Sequence, residues 1–482
     1  MSEMKGYNQM LTYSFSDIGS DTLYNHLYKC IKNDIINGIL PTDSKLPSKR
    51  SFAKNLGISV ITVENAYAQL IAEGYVYSLP KRGFFVADIK NNQSLSSTKK
   101  PKKTAPASEK IKIKSARKNY IADFSSNQTD IDNFPFSIWA KLVREILNEN
   151  QQELVTNPPC GGILELRCAI AQHLKSYRNL DVLPEQIIIG AGTEYLYGLL
   201  IQLLGFDKSY AVEDPGYDKI YKIYKKHNVN CNYIPLDSEG IQIDKLEENN
   251  INVVHISPSH HFPTGIIMPI SRRYELLGWA SKSNDRYIIE DDYDSEFRMT
   301  GKPIPALLDI DMQEKVIYIN TFSKTLASTV RISYMVLPLH LINKFYKELS
   351  FYSCTVSNFE QYTLARFIEK GYFEKHLNRM RNYYHNKRDF LLKCIEESDF
   401  APFVKIMEED SGLHFIMKIN TEISDRDFCK YAEKKGIRLT ALSQFYSTEK
   451  QVEHYFVINY SSVNEDKIEE AISVLYDIIT TR

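Results

Sequence analysis

Four side chains within one short stretch, Thr321, Ser323, Lys324 and Arg331, are the types that hold a phosphorylated aldehyde. They follow an apolar run, Val316 to Ile319, and Arg331 comes seven residues after Lys324. A lysine amine condenses with an aldehyde to form an imine, while hydroxyls and a guanidinium grip phosphate oxygens. A solvent-exposed lysine after a buried strand has the same local sequence, so the stretch takes its meaning from what the chain places beside it.

Four further runs end in chemically loaded turns. Gln186 to Ile189 leads into Gly190-Ala191-Gly192-Thr193-Glu194, a glycine-threonine helix start that offers free N–H groups to a phosphate. Ser209 to Val212 leads into Glu213-Asp214-Pro215-Gly216-Tyr217, which offers an aromatic ring for stacking. Val253 to Ile256 is followed by Ser257-Pro258-Ser259-His260-His261-Phe262-Pro263-Thr264-Gly265, and Tyr287 to Ile289 by Glu290-Asp291-Asp292-Tyr293-Asp294. A carboxylate keeps a pyridine nitrogen protonated and makes the ring an electron sink, a part Asp291 can take; the Tyr293 phenol can bond the ring oxygen. The same residues also read as an acidic loop capping a helix, and Asp292 and Asp294 fit that simpler reading.

The elements that must position these turns are short runs rich in Ile, Val and Tyr, alternating with helical patterns. Strands buried on both faces look like this, and strand–helix alternation predicts an α/β domain with a mostly parallel sheet. In such a sheet ligands sit beyond the carboxyl ends of the strands, where all five turns fall. From about Phe351 the pattern is helical, then α+β, with strands expected at Leu413 to Ile419 and Tyr455 to Tyr460.

The first 88 residues follow a different order. Asp21 to Asn37 repeats Leu23, Leu27, Cys30, Ile31 and Ile35 at helical spacing and stops at Gly38. Ser48 caps a short second helix that ends at Gly57, and Ser59 caps a third, Val60 to Glu73, that stops at Gly74. Tyr75 to Tyr77 and Phe84 to Val86 read as strands around the basic turn Leu79-Pro80-Lys81-Arg82-Gly83. Three helices and a basic-tipped hairpin give the winged helix-turn-helix order. Ser48, Ser59, Thr62 and Asn65, with Glu64 beside them, are the short polar groups that reach base edges or phosphates; Lys49, Arg50, Lys81, Arg82 and Gly83 suit the backbone.

Between the two parts, residues 89–119 carry ten Lys or Arg against Glu109 alone. Such a stretch cannot bury enough surface to fold and reads as a basic tether. The whole chain of 482 residues has a formal net charge of −1, so any nucleic-acid surface must be local. Its seven cysteines form no CxxC pair, which argues against a zinc ribbon or disulfide scaffold and fits a reducing cytoplasm; no metal is expected. Neither a signal-peptide h-region nor a membrane-length apolar run is legible, so no membrane partner is expected.

At Leu46-Pro47-Ser48-Lys49-Arg50, Leu56-Gly57-Ile58-Ser59, Thr62-Val63 and Glu73-Gly74-Tyr75-Val76 the head resembles the GntR family of bacterial repressors, over about residues 20–88. Members often carry a basic or amide residue where Val60 stands. The five loaded turns resemble those of fold-type I, class I aminotransferases. The whole, about 20–480, resembles the MocR/GabR type of regulator, which fuses the two. That resemblance implies pyridoxal phosphate as cofactor, with Lys324 as its Schiff-base lysine and the only catalytic-type residue. It places Asp291 at the pyridine nitrogen, Tyr293 at the ring oxygen and Tyr217 over the ring. Gly192, Thr193, Thr321, Ser323 and Arg331 would surround the phosphate. It further implies a cytoplasmic, head-to-tail homodimer reading a double-stranded DNA operator under control of a small-molecule effector.

The expected organisation is a winged helix over 1–88, a tether over 89–119 and an aminotransferase-like body over 120–482. Residues 120–345 are expected to form mainly its large domain and 346–482 mainly its small domain. In the effector pocket Lys219 and Gln444 stand where GABA-responsive members carry two arginines, with Phe262 and Arg438 near them, so GABA is not the expected effector. Pyridoxal phosphate itself, as in the branch governing vitamin B6 synthesis, needs no carboxylate clamp; an amino compound such as D-alanine is the other choice. A working aminotransferase with a DNA-binding head is the alternative, and a purely structural body has no use for Lys324.

Overall fold

The structure is a computed structural model describing residues 11–15, 21–89, 119–126, 131–298, 305–410, 412–448 and 452–480. Most of the expected tether, 89–119, lies outside the described residues. The chain divides into two compact units, 1–116 and 117–482.

In the first unit three helices, Leu23–Ile36, Lys49–Leu56 and Val60–Ala72, close over one core that includes Leu27, Ile31, Phe52, Val63, Tyr67 and Leu70. The caps are where the residue types put them. Ser48 Oγ accepts from Ser51 N, Ser59 Oγ accepts from Thr62 N, and Gly57 takes φ +68°, open to glycine without strain. The hairpin strands are Val76–Leu79 and Gly83–Val86, and a strand not anticipated from sequence, Lys45–Leu46, makes the sheet three-stranded. Two residues are too few to show periodicity, so register with Phe85 and Phe84 decides that strand.

The second unit is built on an eight-stranded sheet. Its order is Ile187–Gly190, Ser333–Val336, Val316–Thr321, Tyr287–Asp291, Val253–Ile256, Ser209–Asp214, Asn230–Asp237 and Gly240–Ile241. Ser333–Val336 runs antiparallel to both neighbours and Gly240–Ile241 antiparallel to its one; the remaining pairs are parallel. The central strands are buried on both faces, as their unbroken apolar runs require. Five parallel strands therefore deliver their carboxyl ends, and the five loaded turns, to one edge.

A second, antiparallel sheet orders Val404–Met407, His414–Ile419, Tyr455–Asn459 and Thr440–Ala441. Its core takes in Ala122 and Phe124 as well as Met380, Tyr384 and Leu391. The two cores therefore interleave along the chain on either side of 345/346. Helix Asn358–Glu369 packs on helices Phe136–Glu149 and Leu164–Arg178, which keeps Val356, Phe367, Phe373 and Leu377 in the large core. The long helix Tyr372–Glu396 crosses from one core to the other near Met380, while Ala122–Asp123 pairs with Ile437–Arg438 in the small part. One amphipathic helix serving two cores gives no boundary signal in its sequence.

Beneath the loaded edge Arg178 donates to Asp292 at 2.8 Å, both side chains being almost wholly buried. Asp292 also accepts from Ser295 Oγ and Tyr318 Oη. Breaking one partner of a buried pair leaves a charge without compensation, which costs about 3–5 kcal/mol. Arg178→Met should destabilise the second unit by that order. Trp139 and Trp279 both lie there, so denaturant unfolding followed by tryptophan fluorescence reads it directly.

Candidate functional site

The five turns and one edge of the small sheet enclose a cavity of about 430 Å3. Its wall includes Thr193, Tyr217, Lys219, Phe262, Asp291, Tyr293, Thr321, Ser323, Lys324 and Arg331. Phe124, Thr440, Phe445, Val457 and Asn459 close it from the small part.

Asp291 ends strand Tyr287–Asp291. Its Oδ2 accepts from Tyr197 Oη at 2.6 Å and lies 3.4 Å from His255 Nε2, whose Nδ1 meets Tyr224 Oη at 2.9 Å. Its Oδ1 is buried with no hydrogen-bond partner, though a buried acceptor left alone carries a desolvation cost. Tyr197 and His255 were missed from sequence. The signals were present: Tyr197 stands one helical turn after Thr193, and His255 interrupts the otherwise apolar Val253–Ile256.

Lys324 follows strand Val316–Thr321 in a short turn of helix capped by Thr321, whose Oγ1 accepts from Ser323 N. Burial pulls the Lys324 ammonium below the usual lysine range, against the pull of Asp294 and Asp291. A lysine so displaced carries more of the free amine, the nucleophilic form. Its Nζ lies 5.9 Å from the Tyr293 ring centroid. Tyr293 Oη lies 3.3 Å from His260 Nδ1, which also meets Asp294 at 2.9 Å.

At the other end stands the N-terminus of helix Thr193–Leu204. Gly192 holds φ +92°, a conformation that calls for glycine, and the Arg331 guanidinium lies against the space a Cβ would take there. Arg331 itself takes φ +53°, a left-handed conformation that costs a non-glycine residue energy and occurs where a site holds it. Ser323 Oγ is buried with no partner and shares the cavity. The aromatic wall is a chain of edge contacts, Tyr217 on Phe262 at 5.9 Å and Phe262 on Phe445 at 5.2 Å. Asp214 accepts from both N and Oγ of Ser447, and Gly216 N donates to Phe445 O, so the turn bearing Tyr217 is fastened to the small part.

An orphaned carboxylate oxygen, a lysine deprived of solvent, an orphaned serine hydroxyl and a helix N-terminus under a guanidinium fit pyridoxal phosphate. When bound, that group supplies an aldehyde and an electron-withdrawing pyridinium.

Two expected effector residues lie elsewhere. Gln444 does not line the cavity; the 3-10 turn Leu442–Phe445 sends Phe445 inward and leaves Gln444 near Cys429 Sγ at 3.8 Å. Arg438 does not line it either; its strand pairs with Ala122–Asp123 and its guanidinium meets Asp123 at 3.3 Å. Lys219 does line the cavity, but its Nζ is bound to Glu194.

In the first unit Arg50, Ser59, Asn65, Lys81 and Arg82 are exposed, with Lys81 at φ +61° in the hairpin turn. Lys49 Nζ meets Glu64 of the third helix at 2.5 Å, a solvent-exposed pair. Among the described residues no group of three or more His, Cys, Asp or Glu could hold a metal ion, and no helix is long and apolar enough to cross a membrane.

Residues 120–475 match the model of aminotransferase class I and II, and residues 23–86 match that of bacterial regulatory proteins of the gntR family. The chain is 39% identical to the uncharacterized HTH-type transcriptional regulator YdeL of Bacillus subtilis, covering 94% of this chain and 96% of that protein. It is 27% identical to the HTH-type pyridoxine biosynthesis transcriptional regulator PdxR of Corynebacterium glutamicum, over 93% and 94%. Among solved structures, Pyrococcus horikoshii kynurenine aminotransferase, crystallised with PMP, superposes with a TM-score of 0.65 at 26% identity, covering 75% of this chain and 91% of that one.

One buried acid of the cavity wall sets a pH dependence. Burial pushes the Glu213 carboxyl from 4.5 up to about 8, while burial pushes its neighbour His261, 3.4 Å away, down to about 3. Both are therefore neutral near pH 7, and the contact is not an ion pair. A raised folded-state value means that the native protein keeps a proton the unfolded chain releases. This contribution is whole below about 4.5 and is lost as pH rises towards 8. Glu213→Gln cannot titrate. Between pH 5 and 8 the melting temperature of the wild type should fall relative to that of Glu213→Gln by about 5 °C; parallel curves would contradict the assignment.

Proposed function

The chain belongs to the MocR-type HTH regulators, in which a gntR-family head precedes an aminotransferase class I and II body, and on that premise we propose that its body senses pyridoxal phosphate and controls DNA binding by its head. In this reading Lys324 supplies the amine that condenses with the cofactor's aldehyde. Asp291 Oδ1 holds the pyridine nitrogen proton, and Tyr197 and His255 fix the carboxylate so that this oxygen points into the cavity. Tyr293 donates to the ring oxygen and Tyr217 covers the ring. Thr193, Thr321, Ser323 and Arg331 hold the phosphate at the helix N-terminus, over Gly192.

The observation that carries the sensor reading over the enzyme reading is the composition of the cavity. Its described lining includes three Lys or Arg side chains. Lys324 is used by the aldehyde, and Lys219 and Arg331 are both bound by Glu194 at the phosphate end. At the small-part end stand Leu413, Thr440, Phe445, Val457 and Asn459. An amino acid needs its carboxylate held opposite the imine carbon, and bidentate arginine is the strong way to do so. With no such group there, the cofactor itself is the better ligand. The name of the Corynebacterium relative, a pyridoxine biosynthesis regulator, supports vitamin B6 supply as the regulated process. The protein is taken to act in the cytoplasm as a head-to-tail homodimer, so two heads read paired sites.

Three outcomes follow. Purified protein with pyridoxal phosphate should absorb in the visible, Lys324→Ala should not, and a colourless wild type would refute the site. Amino donors, GABA included, should leave that band in place and give no steady-state transamination; sub-millimolar GABA shifting it would restore the enzyme reading. In the head, Arg50→Ala and the pair Lys81→Ala/Arg82→Ala should weaken DNA binding, each lost phosphate contact lowering the slope of log K against log salt by about one. Unchanged slopes would remove those residues from the interface.

A further inference from the structure

Glu194 is not accounted for by cofactor chemistry. It is the second residue of the helix whose N-terminus receives the phosphate. Its Oε2 accepts from Arg331 Nη2 at 2.6 Å and its Oε1 from Lys219 Nζ. The hydrogen bond from Lys219, with the charge and hydrogen bond of Arg331, holds its carboxyl below the usual carboxylate range, so Glu194 is an anion at working pH. Glu194, Lys219, Arg331, Thr193 and Ser323 line one cavity. The Arg331 guanidinium lies beside Gly192 at the N-terminus of that helix, so Glu194 holds it where the phosphate would bind.

Two cations are thus already joined by a carboxylate where a phosphate dianion must bind. A phosphate arriving there either takes Arg331 from Glu194 or accepts a like charge beside it. Both routes subtract from the affinity that helix, hydroxyls and guanidinium would otherwise give.

We propose that Glu194 is an internal anion that competes with the cofactor's phosphate for Arg331 and Lys219, and so sets the concentration of pyridoxal phosphate at which the protein loads. This rests on the reading of Lys324 as the cofactor lysine. An enzyme that keeps its cofactor gains nothing from such a competitor. A sensor does, because it must be empty at low and full at high cofactor concentration. Glutamine at the same position keeps the length of the side chain, removes the charge and leaves one oxygen to accept where the carboxylate offers two.

The test compares two ligands in three proteins: wild type, Glu194→Gln and Glu194→Ala. Pyridoxal phosphate and pyridoxal, which lacks the phosphate, are each titrated, and the visible band that depends on Lys324 is read. Glu194→Gln should bind pyridoxal phosphate more tightly by about tenfold to a hundredfold, the worth of one charge-assisted hydrogen bond returned to the ligand. Its affinity for pyridoxal should stay within about twofold of wild type. Glu194→Ala should follow Glu194→Gln in both. Glu194 is 37% exposed, so both variants should unfold at the wild-type denaturant midpoint. Equal or weaker binding of pyridoxal phosphate by both variants would overturn the proposal and make Glu194 a support that orients Arg331. Equal tightening of both ligands would also overturn it, since the phosphate would then play no part. If no band forms with either ligand in any of the three, the Lys324 reading fails and this proposal with it.

Discussion

The second unit depends on a carboxylate held by one oxygen. Asp291 lines the cavity; its Oδ2 is bound by Tyr197 and approached by His255, while Oδ1 is buried without a partner. Leaving an acceptor in that state costs about 1–3 kcal/mol, so the surrounding structure must impose it. It does so through three elements. Tyr197 comes from the helix after the first strand, His255 from the strand beside Asp291, and Tyr224 from a further helix fixes the far side of the His255 ring. The strand carrying Asp291 lies between those ending in His255-Ile256 and Thr321, so register in three parallel strands brings acid, relay and lysine turn to one edge. Cofactor chemistry is the return on that strain.

The same logic orders the rest of the cavity. Its phosphate end concentrates charge and special backbone, Gly192 at φ +92° and Arg331 at φ +53°. Its opposite end is aromatic and neutral, Phe262 against Phe445 and Val457 among the lining. A site so divided grips a phosphorylated ring firmly and gives a substrate carboxylate little to hold. That asymmetry, together with Glu194 on the cationic side, is the ground on which we propose a body that responds to its cofactor.

Much of this was legible in the sequence because the signals are local. Ser48, Ser59, Gly57 and Gly74 act within a turn of their helices, and continuous runs such as Val316 to Ile319 admit few readings besides a buried strand. The cavity residues were legible because each follows such a run. What escaped was set by contacts distant in sequence. The Lys45–Leu46 strand depends on register with Phe84 and Phe85. The division between the two parts depends on one helix passing from one core to the other at Met380. Gln444 and Arg438 lay near the right place in sequence, but a 3-10 turn and an edge strand point them away from the cavity. The pair of Lys49 with Glu64, fifteen residues apart on two helices, was likewise not legible.

The central claim is that the state of Lys324 and the affinity of the head for DNA are one equilibrium. By linkage, a cofactor that changes DNA affinity must itself be bound differently by the DNA-bound protein. The direct measurement is the dissociation constant for DNA that the protein selects from a random duplex pool, taken with and without saturating pyridoxal phosphate, at fixed salt and with no amino acid present. The account predicts a change of about 5- to 150-fold in the wild type, the ordinary range of coupling between two sites, and none in Lys324→Ala. A wild-type constant unmoved by the cofactor, or one moved equally in Lys324→Ala, would contradict it.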